Sequence, residues 1–314
     1  MEFKLGDSAA QRVVFGKTLV ELGSEYDNMV VLDPDVAPST QTHLFKNVYP
    51  DRFFQIGIAE QNMMGIAAGM STVGYIPWVS GFAVFIVQRA GDQIRNSIAH
   101  PRANVKINGS YGGLPTGRGG ATHSAFEDIA TMRCMPNMTI LEAGDTRETE
   151  LLTRMAMEIE GPVYLRTVRC DVPTIFGSGH KVQLGKAVKM SAGKDITIIS
   201  SGMMTPKAKD AVEILSNQGM SVNHLHMPSI KPFDVQAVQE AAETTKAIIT
   251  VENHSIIGGL GSAVCEAVAQ THPTKVMRLG FKDIFLECGD DEELFCKYDM
   301  NTVNIVEHAL RIAQ

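Results

Sequence analysis

The segment Gly57-Ile58-Ala59-Glu60-Gln61-Asn62-Met63-Met64 opens the longest uncharged run of the chain, with no Asp, Glu, Lys or Arg from Gln61 to Gln88. A run of that length raises the question of a membrane span. It carries Asn62, Ser71, Thr72, Pro77, Ser80 and several glycines. It divides into a helix over 60–72, a strand from Gly74 to Val79 and a helix over 82–98. A buried α/β core accounts for the missing charge without a membrane. Glu60 stands at the edge of this run. An ionised carboxylate taken from water is costly unless paired, so burial raises its pKa. A carboxyl that keeps its proton at neutral pH can donate a hydrogen bond, which is a catalytic tool. The plainer reading is a helix-start carboxylate favoured by the helix dipole.

The alternation continues on both sides. Residues 8–23 predict an amphipathic helix capped by Asp7 or Ser8, with Val13, Val14, Leu19 and Val20 on the apolar side. Met29 to Leu32 predicts a buried strand ending in Asp33-Pro34-Asp35. Strands follow at 103–108, 138–141 and 163–168, with a helix over 146–159 and a glycine-rich loop from Gly109 to Gly120. This pattern specifies a parallel sheet with helices on both faces. Ligands of such sheets bind in loops at the carboxyl ends of strands, here 33–40, 80–82, 109–123 and 166–173. The pattern lapses between about 176 and 194, where a domain boundary is expected. A second α/β unit starts at Asp195, with strands at 195–200, 220–226 and 246–251 and helices at 205–218, 234–243 and 260–270.

Composition narrows the function. The chain has 314 residues, 44% hydrophobic, and a formal net charge of −7. That charge gives a general nucleic-acid-binding role no electrostatic support. Cysteines at 134, 170, 265, 288 and 296 form no CxxC pair, which fits a reducing cytoplasm better than a disulfide framework. The nine histidines show no HExxH spacing, so no metal ligands are assigned in this chain. Met1-Glu2-Phe3-Lys4 predicts no signal core, and no membrane role is expected.

Phe82 and Phe85 lie three apart and share a helix face. With Ile58 and Val84 they could wall a flat aromatic pocket; ordinary core packing is the alternative. A carboxylate beside such a pocket suits thiamine diphosphate, whose aminopyrimidine ring needs a carboxyl group at the nitrogen opposite its amino group.

Gly57-Ile58-Ala59-Glu60-Gln61-Asn62-Met63 resembles the pyrimidine-binding motif of the transketolase family. The likeness extends in order through Asp33-Pro34-Asp35-Val36-Ala37-Pro38-Ser39, Ser80-Gly81-Phe82-Ala83-Val84-Phe85, Gly120-Ala121-Thr122-His123-Ser124-Ala125-Phe126-Glu127-Asp128 and Pro136-Asn137-Met138. Ile230-Lys231-Pro232-Phe233-Asp234 and Glu252-Asn253-His254 fit as well. The resemblance implies a pyrimidine-binding α/β domain over 1–178 and a C-terminal α/β domain over 190–314. It implies that Glu60 activates the aminopyrimidine, with Phe82 and Phe85 against its ring and Asp35 near the thiazolium side. His123 would contact the sugar's oxygens, and Ser39 and Arg169 the substrate phosphate, which suits the guanidinium fork.

The family's diphosphate-binding half carries a Gly-Asp-Gly motif and a later Asn that hold a divalent cation. The Gly-Asp pairs here, at 6, 91, 144 and 289, are none of them followed by Gly. The resemblance therefore implies a C-terminal subunit of a split enzyme. A partner N-terminal subunit would hold the diphosphate and Mg2+ or Ca2+, within a heterotetramer acting on sugar phosphates. Two departures bear on the sugar. Tyr111 replaces a sugar-binding His, and Gly119 replaces an Asp that reads a hydroxyl, with Arg118 beside it; an unusual, sulfonated or branched sugar becomes an option. Three alternatives stay open: the beta subunit of a 2-oxoacid dehydrogenase, a deoxyxylulose-phosphate synthase and a non-catalytic assembly subunit. Gly258-Gly259-Leu260-Gly261 is read as a tight turn into a helix in preference to a phosphate loop.

Overall fold

The computed structural model describes residue 1, residues 3–114 and residues 117–313, without the side chains of 117 and 118. The Arg118 side chain thus lies outside the described part.

The uncharged run folds as helix Glu60–Thr72, strand Ile76–Phe82 and helix Ala83–Arg89. The strand ends three residues later than the 74–79 expectation. Both of its neighbours are parallel strands, and register with one of them runs through Phe82 opposite Ser110. Pairing overrides the turn tendency of Ser80-Gly81. Nor does one helix fill 82–98: after Ala90 a short turn Gly91–Gln93 leads into a π-helical stretch Ile94–Ala99. Gly91 weakens the helix there, and the wider turn accommodates an extra residue while Ile94 and Ile98 stay buried.

The expected helix over 8–23 is also corrected. Ser8–Ala10 is a strand paired antiparallel with Asp171–Pro173, and the helix runs Gln11–Glu25. Neither Asp7 nor Ser8 caps it; Ala10 does, without a side-chain bond. The segment is drawn into pairing by backbone bonds from Gly6 N–H to Thr174 O and from Thr174 N–H to Asp7 O.

Strands Phe53–Gln55, Met29–Asp33, Ile76–Phe82, Lys106–Ser110, Val163–Arg166 and Thr139–Glu142 form one parallel sheet in that spatial order. A seventh strand, Ser229–Lys231, comes from the second half of the chain and pairs antiparallel with Thr139–Glu142. The second sheet orders Lys275–Phe281, Ala247–Ser255, Ile196–Ser200, Val222–His226 and the antiparallel Val188–Ser191. The crossing strand merges the apolar cores: Met63, Ile107 and Ile140 share one cluster with Ile230, Ile248 and Val264.

A buried polar knot ties the two sheets to the segment between them. Glu148, on helix Thr146–Glu158, meets His226 Nε2 at 2.7 Å and His180 Nε2 at 2.9 Å, and accepts a bond from Gly144 N–H. His180 stacks on Phe176 at 3.9 Å. Burial alone would raise the Glu148 carboxyl, but His226 and His180 outweigh it and hold it down at about 2, against an ordinary 4.5. The folded state thus gains stability above pH 4.5 that is lost as pH falls towards 2. Such a depression corresponds to about 3 kcal/mol. Denaturant unfolding between pH 6 and pH 3 should show this loss, and Glu148→Gln should remove most of that slope. An unchanged slope refutes the assignment.

Candidate active site

The parallel strands deliver the candidate residues to one edge of the first sheet. Glu60 follows Phe53–Gln55, and Asp35 and Ser39 follow Met29–Asp33. Phe82 and Phe85 lie at the end of Ile76–Phe82 and just beyond it. Tyr111 and His123 follow Lys106–Ser110, and Arg169 follows Val163–Arg166. This is the carboxyl edge, where such sheets bind ligands.

Glu60 begins its helix and is only 4% exposed. Its carboxylate is paired. Arg89 Nη1 donates to both of its oxygens, at 3.2 and 3.3 Å. The guanidinium also lies over Phe85, 4.4 Å from the ring centroid. Helix Ala83–Arg89 ends on the residue that brings its cation back to the start of the neighbouring helix. Ile58 does not wall the aromatic pocket: it is 74% exposed, because Gly57, at φ +80°, turns the chain just before it.

Phe82 and Phe85 do come together, with ring centroids 6.0 Å apart. Two further rings join them. His123 meets both edge-on, at 5.9 and 5.3 Å, and Tyr111 packs on Phe82 at 4.4 Å. His123 Nδ1 is 2.9 Å from Thr122 Oγ1, which leaves Nε2 outside that contact. Tyr111 sits at φ +62°, a strained conformation for an aromatic residue and one that collects at binding sites. Arg12 reaches this ring: its guanidinium lies 5.9 Å from the Tyr111 centroid, and its Nη1 donates to Ser39 O at 3.0 Å.

The loop bearing Asp35 and Ser39 is built on Asp33. This buried carboxylate accepts bonds from Val36 N–H, Thr40 Oγ1 and Thr42 Oγ1. Burial raises its pKa, and those three bonds oppose the rise. Asp35, at φ +69°, is held reciprocally by Gln55: the Asp35 N–H donates to Gln55 Oε1, and Gln55 Nε2 donates to Asp35 Oδ1, both at 2.9 Å.

Arg169 is separated from the aromatic cluster. It lines a cleft of about 690 Å³ between the two halves, together with Arg12, Lys207 and Asp291. Arg12 links the two regions by touching both Tyr111 and this cleft. Sequence reasoning missed Arg12, although its placement four residues past Ser8, at the start of a helix, was visible.

Sequence reasoning also missed Arg166, a fully buried cation that secures the His123 loop. Its five N–H groups are all used. Nε and Nη2 donate to Asp128, Nη1 to Glu142 and to Asn253 O, and Nη2 to Ala125 O. Burial would raise Asp128, but Arg166 outweighs it and the carboxyl sits below its ordinary value. The second half of the chain contributes here. The Asn253 side-chain amide accepts from Leu114 N–H and donates to Leu114 O, clamping the middle of the glycine-rich loop. Beside it, Glu252 is pushed up to about 8 by burial, opposed by bonds from the Leu260 and Gly261 N–H groups. Glu252 thereby fills the helix N-terminus at Gly258–Gly261, and a Cβ on Gly259 would lie 2.0 Å from its carboxylate. That turn is closed by the chain's own carboxyl group.

Residues 7–174 match the family model described as transketolase, pyrimidine binding domain, and residues 185–305 match transketolase, C-terminal domain. The chain belongs to the transketolase family. It is similar to a split-gene transketolase chain solved as an inactive β4 tetramer, with TM-score 0.88 and 43% identity over 96% of this chain and 97% of that one. It is 37% identical to an apulose-4-phosphate transketolase subunit of Phocaeicola vulgatus, covering 97% of this chain and 98% of that protein. It is 35% identical to a 6-deoxy-6-sulfo-D-fructose transketolase subunit of Clostridium sp., covering 94% and 92%. These relatives support a transketolase-type transferase. Among the described residues, no helix is long and apolar enough to cross a membrane.

Proposed function

We propose that this chain is the C-terminal subunit of a two-polypeptide, thiamine-diphosphate-dependent transketolase, cytoplasmic, that moves a two-carbon ketol unit from a ketose to an aldose. The observation that carries this reading is that one sheet edge holds both a buried carboxylate, Glu60, and the Phe82, Phe85, Tyr111 and His123 ring cluster, the two joined through Arg89. These residues fit the aminopyrimidine half of the cofactor: a carboxylate to bond a ring nitrogen and aromatic faces to hold a ring. They do not fit the diphosphate half, since among the described residues no three His, Cys, Asp or Glu stand together as metal ligands. Mg2+ or Ca2+ and the diphosphate are accordingly assigned mainly to an N-terminal partner subunit, in a heterotetramer.

Thiamine diphosphate, once bound, supplies the carbanion that takes the ketol unit. Glu60 then holds a proton at the aminopyrimidine nitrogen. Phe82 and Phe85 orient the ring and exclude water. Asp35 would serve the cofactor's thiazolium side. His123 Nε2, outside the Thr122 contact, would bond a sugar carbonyl or hydroxyl oxygen and steady its charge. Arg12 and Arg169, with Ser39, bind the substrate's anionic group, a phosphate or a sulfonate. Two of the relatives are named for transketolases of apulose 4-phosphate and of 6-deoxy-6-sulfo-D-fructose, which supports an anionic ketose as the substrate.

The test is reconstitution with the N-terminal partner and a panel of phosphorylated and sulfonated ketoses. Aldehyde-acceptor exchange is expected from the pair and not from this chain alone. Arg169→Ala should raise KM for anionic donors about tenfold or more, with a smaller change in kcat, and leave uncharged ketoses unaffected. Full turnover by the chain alone, or release of carbon dioxide from 2-oxoacids instead of exchange, overturns the reading.

A further inference from the structure

Arg89 is the first charge after the uncharged run, and it makes three contacts at the candidate site. Its Nη1 donates to both Glu60 oxygens, and its guanidinium covers the Phe85 face. The group is half exposed while its partner is buried. The cleft around the pair is lined by Ile58, Ala59, Gln61 and Asn62, so among the described residues no other charge lines it.

These contacts use the two features that the proposed function assigns to an aminopyrimidine ring. A guanidinium is planar and delocalised, donates to carboxylates and stacks on aromatic faces. A protonated aminopyrimidine presents the same combination of flat π-face and N–H donor. Both cannot hold the Glu60 oxygens and the Phe85 face together.

We propose, resting on that reading, that Arg89 is an internal surrogate for the cofactor ring. In the unassembled chain it satisfies Glu60 and covers Phe85, so the buried carboxylate is never left without a partner. When the cofactor docks with the partner subunit, Arg89 turns into solvent and yields both contacts. Its half-exposed position makes this displacement inexpensive, because an ion pair open to water is weak. Arg89 therefore acts as a positioning residue that couples cofactor affinity to assembly.

The test uses the full chain with its N-terminal partner and thiamine diphosphate, with Mg2+ present, and compares wild type, Arg89→Gln and Arg89→Lys. Calorimetric titration of the pair should show cofactor binding tightened about tenfold in Arg89→Gln, because the competing conformer is removed. Arg89→Lys, which keeps the charge but loses the planar stack, should fall between. The isolated Arg89→Gln chain should unfold about 2 °C or more below wild type, since Glu60 loses its partner. Unchanged or weaker cofactor binding in Arg89→Gln, with the wild-type pair binding normally, overturns the surrogate and leaves the proposed function standing. Failure of the wild-type pair to bind the cofactor overturns both.

Discussion

Glu60→Gln, assembled with its partner subunit, is expected to lose ketol transfer by a factor on the order of 10² to 10⁴. The size follows from what the substitution removes. Gln fills the same space and can still bond a ring nitrogen, but it cannot exchange a proton with it. The loss should therefore appear in kcat, with cofactor affinity changed far less. Folding should be nearly untouched. Arg89, the partner left behind, is half exposed and can turn to water, so the stability change should stay within about 1 kcal/mol. Steady-state exchange assays, cofactor titration and thermal unfolding of the same preparation separate these effects. Activity within threefold of wild type would support a non-catalytic assembly role. A large drop in unfolding temperature would instead make Glu60 a folding residue.

The parts of this site legible in the sequence are those carried by local pattern. The helix Glu60–Thr72 has its predicted bounds because an uncharged run beginning on an acidic residue is a strong local signal. Phe82, Phe85 and His123 converge as their loops at the sheet's carboxyl edge suggested. What escaped is set by partners distant in the chain. The strand Ser8–Ala10 exists only because Asp171–Pro173 lies beside it. The strand through Phe82 extends because its parallel neighbours do, and no periodicity within 74–82 encodes that. Arg89 and Glu60 are 29 residues apart, and Arg12 and Tyr111 are 99 apart. Single cations of this kind carry no motif. Arg166 offered one usable hint: a lone cation closing the apolar strand Val163-Tyr164-Leu165, a position that demands buried acids somewhere in the fold.

Those acids make Arg166→Met the most damaging single change expected outside the site. The guanidinium is wholly buried and bonds Asp128 at 2.8 and 3.0 Å, Glu142 at 2.7 Å, and the carbonyls of Ala125 and Asn253. Met replaces its volume but takes the guanidinium from two carboxylates and two carbonyls, of which Asp128 keeps the Tyr164 hydroxyl and Ala125 O keeps the Gly113 N–H. Breaking a buried pair from one side costs about 3–5 kcal/mol, which lowers the unfolding midpoint by roughly 10 °C in a chain of this size. The pH dependence identifies the cause. In the wild type, Asp128 is held below its ordinary 3.8 mainly by Arg166, against burial. It therefore adds stability above that value and loses it as pH falls through the depressed one. Without Arg166, burial dominates and the carboxyl prefers its proton. The variant's deficit should thus be largest near pH 7 and shrink as pH is lowered to 4. Adding Asp128→Asn should recover part of the loss, the non-additivity measuring the pair. Because Arg166 also joins Ala125, just after His123, to Asn253 of the second sheet, surviving enzyme should show a raised KM. Urea unfolding at pH 7 and pH 4 decides the matter: a deficit below about 1 kcal/mol, or one that grows on acidification, would exclude Arg166 as the electrostatic tie between the sheets.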